Sequence, residues 1–179
     1  MMETQDELGR LLDMAREFRF AMLVTIAEDG HLHGRPMTVA EIDDEAGAIW
    51  FVTSRTREST SEIAHDSRAI VTMQGKDAYV QWSGRASLVD DSMRLHEVWK
   101  PSFASWFPNG PDDASIVLVR VDVEIGEYWD QSGGLKVRAM LRRAKSALQG
   151  QDVDEESARE EDQKVHGRVR VANGHRRDA

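Results

Sequence analysis

"AMLVTIAEDGHLHGRPM", residues 21–37, decides the fold. Two strand-like runs flank Asp29-Gly30, a residue pair that favours a tight hairpin because glycine reaches positive φ without steric cost. The return run, continuing to Asp43, holds Arg35 and Pro36 where a strand should be apolar and rich in hydrogen bonds. Proline has no N–H, so a strand tolerates it at an edge or where that group would face a groove. An edge protected from aggregation is one explanation. A strand that gives up a donor and gains a charge at one place is also suited to a bound anion.

Outward from this hairpin the elements follow from periodicity. Leu8, Leu11, Leu12, Ala15 and Phe18 recur at helical spacing and predict a helix over 4–18, with Thr4 as N-cap and Glu7 completing a capping box. "AIWFVTS" (48–54) reads as a buried strand, and 55–67 as a loop entering a short helix. Residues 68–74 and 78–89 form a second hairpin across "GKD". A helix over 90–100 precedes a Pro/Gly-rich stretch, 101–115. "IVLVRVDVEI" (116–125) alternates as a strand, with 126–131 continuing it or pairing beside it. Residues 135–148 read as a basic helix that pairs with the acidic body or tail. Several antiparallel strands at short spacing, with helices between them, predict a mainly β, α+β domain: a small antiparallel barrel. The domain spans 1–150. In 151–179 apolar periodicity stops and an acidic block precedes a basic one, so this tail is expected to be disordered or to order only against a partner.

The chain has 179 residues and a formal net charge of −9. That balance argues against a broad nucleic-acid or anionic-membrane face. Without cysteine there is no disulfide, thiol nucleophile or thiolate metal site. The amphipathic, acidic start is unlike a signal peptide, and no apolar run reaches membrane-span length, so a cytoplasmic location is expected.

Local positive charge inside this acidic chain concentrates at "TSRTREST" (53–60), which closes one strand and opens a helix. Hydroxyls, guanidinium groups and free N–H groups at a helix start are what a phosphate takes. A polar loop capped by Thr56 or Ser59, with its arginines in solvent, is the other reading. Trp82, Trp99, Trp106, Phe107, Tyr128 and Trp129 concentrate in the second half, most of them expected in core or dimer packing. His31 and His33 share a strand face but lack further ligands, so no metal site is assigned. The paired aspartates sit at turns and helix starts, where local hydrogen bonding favours them. There is no P-loop, no GxGxxG and no recognisable triad.

Four stretches together resemble the general-stress-protein branch of the pyridoxamine 5′-phosphate oxidase-like, flavin-binding split-barrel superfamily. They are the opening hairpin quoted above, "IWFVTSRTRESTSEIAHDSRAIVTM", "YVQWSGRASLVDD", and "WKPSFASWFPNGPDDASIVLVRVDVEIGEYWD". The last is the most specific, and the likeness runs from about residue 8 to 150. The resemblance implies a six-stranded antiparallel split β-barrel and a homodimer with FMN, or FAD, between subunits. It implies that Arg35, Met37 and Thr38 line the flavin, and that Thr53 and Ser54 lie at its ribityl-phosphate end. Arg55 and Arg57 would donate to the phosphate, Tyr79 would meet the ring, and Trp106 with its loop would close the pocket or approach from the partner. Two departures stand out. Glu58 and Ser59 occupy positions where the superfamily often has Arg or Lys, and the carboxy-terminal arginine–histidine substrate motif of vitamin B6 oxidases is missing. The expected function is an FMN-dependent oxidoreductase of a small molecule, the alternative a flavin-binding protein that sequesters or senses without turnover. Haem or a deazaflavin in the same barrel is a remoter alternative.

Overall fold

A computed structural model describes residues 2–130 and 166–170. Helix α1 (Met2–Arg16) leads into strands β1 (Phe20–Ile26), β2 (Leu32–Asp43) and β3 (Ala48–Ser54). Helix α2 (Glu58–His65), strands β4 (Arg68–Gln74) and β5 (Ala78–Val89), and helix α3 (Ser92–Val98) follow. A 3-10 turn (Pro101–Ser105) precedes the long strand β6 (Ile116–Asp130), and β7 (His166–Arg170) is last among the described residues.

The strands run in the order β3-β2-β1-β4-β5-β6, all antiparallel, and β3 pairs with β6 to close a six-stranded barrel. β6 closes it by being long. Its first half pairs with β3 and its whole length with β5, while its second half also carries β7. At the β5 irregularity, a Cβ on Gly84 would stand 1.9 Å from the Asp122 carbonyl oxygen, so only glycine lets the two strands approach there.

Alternation explains the core. Ile49 and Phe51 point into the barrel with Leu23, Val71, Trp82, Val119 and Val121. Trp50 and Val52, on the other face of β3, pack under Leu95, Val98 and Phe103 of α3 and the 3-10 turn. β3 is therefore buried on both faces, which is why its sequence is a continuous apolar run. Helix α1 adds Leu11 and Ala15, both fully buried, to the barrel cluster.

Pro36 pairs with Met22 of β1, and β2 takes up β3 only from Val39 onward. The Pro36 half of β2 thus has a neighbour on one side alone, and a missing N–H on the other side breaks no ladder.

Two expectations need correction. α1 begins at Met2, so Thr4 lies inside the helix and is not its cap. Of the two readings of 126–131, the structure takes the first: residues 126–130 continue β6. Within the expected disordered tail, 166–170 is a strand, with Val169 2% exposed against the barrel. The basic helix expected over 135–148 and the rest of the tail lie outside the described residues.

Candidate functional site

The loop between β3 and α2 is shaped by its own short side chains. Ser54 Oγ and Thr56 Oγ1 lie 3.1 Å apart, and the Thr56 N–H points at Ser54 Oγ. Arg57 is the N-cap residue of α2, and no side chain caps the helix. Neither Thr56 nor Ser59 takes that role. Thr60 Oγ1 turns away to the carbonyl oxygens of Arg55 and Arg57, at 2.9 and 2.5 Å. The first turn of α2 thus keeps N–H groups without a side-chain acceptor, the usual condition for anion binding at a helix start.

The two loop arginines differ. Arg55 is tied down: its N–H reaches Ser115 O at 2.8 Å, its Nε reaches Ala114 O at 3.0 Å, and its guanidinium meets Asp90 at 2.6 Å. Arg57 is exposed, and among the described residues its guanidinium makes no ion pair. Beside this loop lies a cleft of about 370 Å³ lined by Arg55, Thr60, Ser61, Leu88, Asp90 and Val117.

Arg35 belongs to a second group, built around Glu62 of α2. Glu62 Oε2 accepts from Thr25 Oγ1 at 2.5 Å and from Arg35 at 2.5 Å, and Oε1 meets His33 Nδ1 at 2.7 Å. The hairpin register sets Thr25 opposite His33 and Leu23 opposite Arg35, which puts all four on one face. α2 lays Glu62 across that face, with its side chain only 7% exposed. Burial pushes the Glu62 carboxyl up, but hydrogen bonds from Thr25, His33 and Arg35, with the Arg35 charge, outweigh it. The carboxyl is held below its ordinary value and is ionised at neutral pH. Ligand atoms of His33, Glu58 and Glu62 lie within 4.8 Å of one another. Glu62 already has a cation and two further hydrogen-bond partners, so this cluster is an ion-pair network rather than a cation site.

The nine expected site residues thus divide. Thr53, Ser54, Arg55 and Arg57 are contiguous at the β3–α2 junction, Thr53 buried at 6% exposure. Arg35 joins that region through α2. Met37 shares the Arg35 face and packs on the core, whereas Thr38, paired with Phe20, faces the opposite side. Tyr79 is at the far end of β5, paired with Gln74 and Trp129. It precedes Leu88 of the cleft by nine positions on that strand, roughly 30 Å at the usual rise. Trp106 is 69% exposed beyond the 3-10 turn. Sequence reading missed Glu62, Thr25 and His33. Only the hairpin register hinted at the pairing of the last two, and nothing in the sequence marked Glu62.

Aspartates at turns do act locally. Asp91 accepts from Arg94 N at 3.0 Å, and Asp113 accepts from Ser115 N at 2.9 Å, which holds the Asp113 carboxyl below its ordinary value.

A closed six-stranded antiparallel barrel with helices between its strands is the architecture of a split barrel. Residues 6–154 match the family described as "Pyridoxamine 5′-phosphate oxidase like", and the chain belongs to that family, in its general-stress-protein branch. It is 25% identical over 128 residues to General stress protein 26 of Bacillus subtilis (strain 168), covering 69% of this chain and 88% of that protein. A structure assigned to general stress protein 26 from Jannaschia sp. CCS1 superposes with a TM-score of 0.68 at 23% identity, over 96% of this chain and 100% of that one. The general stress FMN/FAD binding protein of Xanthomonas citri superposes with a TM-score of 0.63 at 27% identity, over 73% of this chain and 93% of that one. Among the described residues no helix is long and apolar enough to cross a membrane.

Proposed function

We propose that the chain binds FMN, with FAD as second candidate, between two copies of itself, and uses it to oxidise or reduce a small molecule. The observation that carries this reading is the uncapped start of α2, where Ser54 and Thr56 lie beside the exposed N-cap residue Arg57. Hydroxyls, open N–H groups and an exposed guanidinium fit a phosphate monoester. The Xanthomonas citri neighbour, described as FMN/FAD binding, supports the same ligand.

The fit has an electrostatic cost. Glu58 stands in the first turn of α2, and Asp90 already holds Arg55. Two like charges 4 Å apart repel by about 1 kcal/mol in water and about 4 kcal/mol near a protein surface. Affinity is therefore modest and rests on Arg57 and the helix start. Bound flavin supplies the hydride chemistry, and the chain binds, orients and excludes water. The missing arginine–histidine motif argues against vitamin B6 oxidation.

The second copy is proposed from the outer face of the β1–β2 hairpin. Phe20, Met22 and Leu32 are 57%, 39% and 67% exposed there, in register with Thr38, Pro36 and Ile26. An apolar sheet face of this kind is suited to a self-complementary contact. A dimer also gives Tyr79, remote from the loop of its own chain, and the exposed Trp106 a place at the partner's cleft.

Titrating FMN into the purified protein while following tryptophan emission tests the reading. Saturable quenching supports it, and no measurable association removes it. Anaerobic NADH or NADPH then separates an enzyme, whose flavin bleaches at a catalytic rate, from a flavin store or sensor, whose flavin responds slowly. Light scattering on Met22→Glu tests the dimer, which should dissociate.

A further inference from the structure

We propose that His33 and Glu62 form a proton-transfer dyad, with His33 Nε2 as a general base and Glu62 as its positioning residue. The inference goes beyond the flavin reading and holds or fails without flavin.

The argument starts from the buried carboxylate. Ionised Glu62 only accepts hydrogen bonds, so the Nδ1 that lies 2.7 Å from its Oε1 carries the proton. In the neutral ring this leaves the lone pair on Nε2. The His33 side chain is 47% exposed while its carboxylate partner is 7% exposed. One end of the ring is therefore anchored and the other is accessible. Oε2 is held by Thr25 Oγ1, itself fully buried, and by Arg35, which leaves the carboxylate little freedom to rotate. A histidine whose Nδ1–H is fixed by a buried carboxylate is the arrangement that sets a tautomer for base catalysis. Arg35 is two residues along the same strand face, bonded to the same carboxylate, so an anion formed by deprotonation would meet a guanidinium. The other charged groups facing His33 are Glu58, from the first turn of α2, and Asp29, from the β1–β2 turn. The substrate class is a small molecule with an activated, weakly acidic proton and a site for negative charge.

The probe is 5-nitrobenzisoxazole, used on the flavin-free protein. A base removes its ring C–H proton, that electron pair becomes part of the nitrile, and the N–O bond breaks to leave a phenolate. No oxidant or reductant is needed. Wild type should form phenolate above the buffer rate, and His33→Gln, an exposed change that leaves the barrel core untouched, should lose about a hundredfold, the lower end of what a positioned base supplies. Long-range proton–nitrogen spectra of histidine-labelled protein provide the second readout, with His33 identified by its absence in His33→Gln. They should show protonated Nδ1 in wild type. Glu62→Gln, whose amide can donate as well as accept, should release that tautomer. Wild-type turnover at the buffer rate, turnover unchanged in His33→Gln, or a protonated Nε2 in the neutral wild-type ring would each overturn the dyad. So would Zn²⁺ or Mn²⁺ binding that is lost in both His33→Gln and Glu58→Gln, which would make the cluster a cation site. If FMN fails to bind while the tautomer and turnover appear as stated, the flavin reading falls and the dyad stands.

Discussion

Replacing Glu62 with alanine removes the acceptor that three side chains share. Thr25 is fully buried, and its hydroxyl would lose its only partner among the described residues. An orphaned buried hydroxyl costs about 1–3 kcal/mol. Arg35, 21% exposed, would keep its charge with its partner gone. Breaking a fully buried ion pair costs about 3–5 kcal/mol, but a guanidinium this accessible recovers part of that through water. His33 reaches solvent and adds little. These effects overlap, so a total loss of about 2–4 kcal/mol is expected. Equilibrium urea denaturation at fixed protein concentration measures it, and the loss should appear in the midpoint with the slope unchanged. The pH dependence has a definite sign. A carboxyl whose folded pKa is depressed stabilises above its unfolded value and loses that contribution as pH falls through the folded one. The gap between wild type and Glu62→Ala should therefore be full above the ordinary glutamate value of 4.5 and narrow below it. A loss under about 1 kcal/mol at neutral pH, or a gap that widens in acid, would refute this account of the network.

Gly84→Ala puts a methyl 1.9 Å from the backbone oxygen of Asp122, which cannot rotate away. It should destabilise by about 3 kcal/mol or more, read as a lower urea midpoint, and a neutral result would mean β5 and β6 do not approach as described. Glu58→Lys should tighten FMN binding by removing a repulsion at the start of α2, and weaker binding in a fluorescence titration would show the phosphate is placed wrongly. Ending the chain at residue 165 strips β7 and uncovers the β6 edge. It should cost about 1.5–3 kcal/mol for buried Val169 and its ladder while leaving the barrel folded, and unchanged thermal stability would deny β7 a role.

Much of the barrel was legible in the residues themselves. β3, β4 and β5 occupy the spans their apolar content and turn signals predicted, because residue composition and Gly-marked turns are local properties. The Asp29-Gly30 turn likewise announced the first hairpin, and Gly30 has a φ of +85°. The charged loop was legible for the same reason, since its hydroxyls and arginines are neighbours in sequence. The tail strand was not. "HGRVR" carries no apolar run, and it becomes a strand only because β6 presents an open edge at Ile125–Trp129. Thr25, His33, Arg35 and Glu62 were separated in the same way. A glutamate in a polar helix reads as solvated, and nothing local reports that α2 lies across the β1–β2 face. Sequence by itself determined the elements of the barrel, their order and the charged loop, because those rest on contacts between near neighbours. Tertiary structure alone decided which carboxylate is buried and which cation it holds, because desolvation depends on what the rest of the chain packs against it.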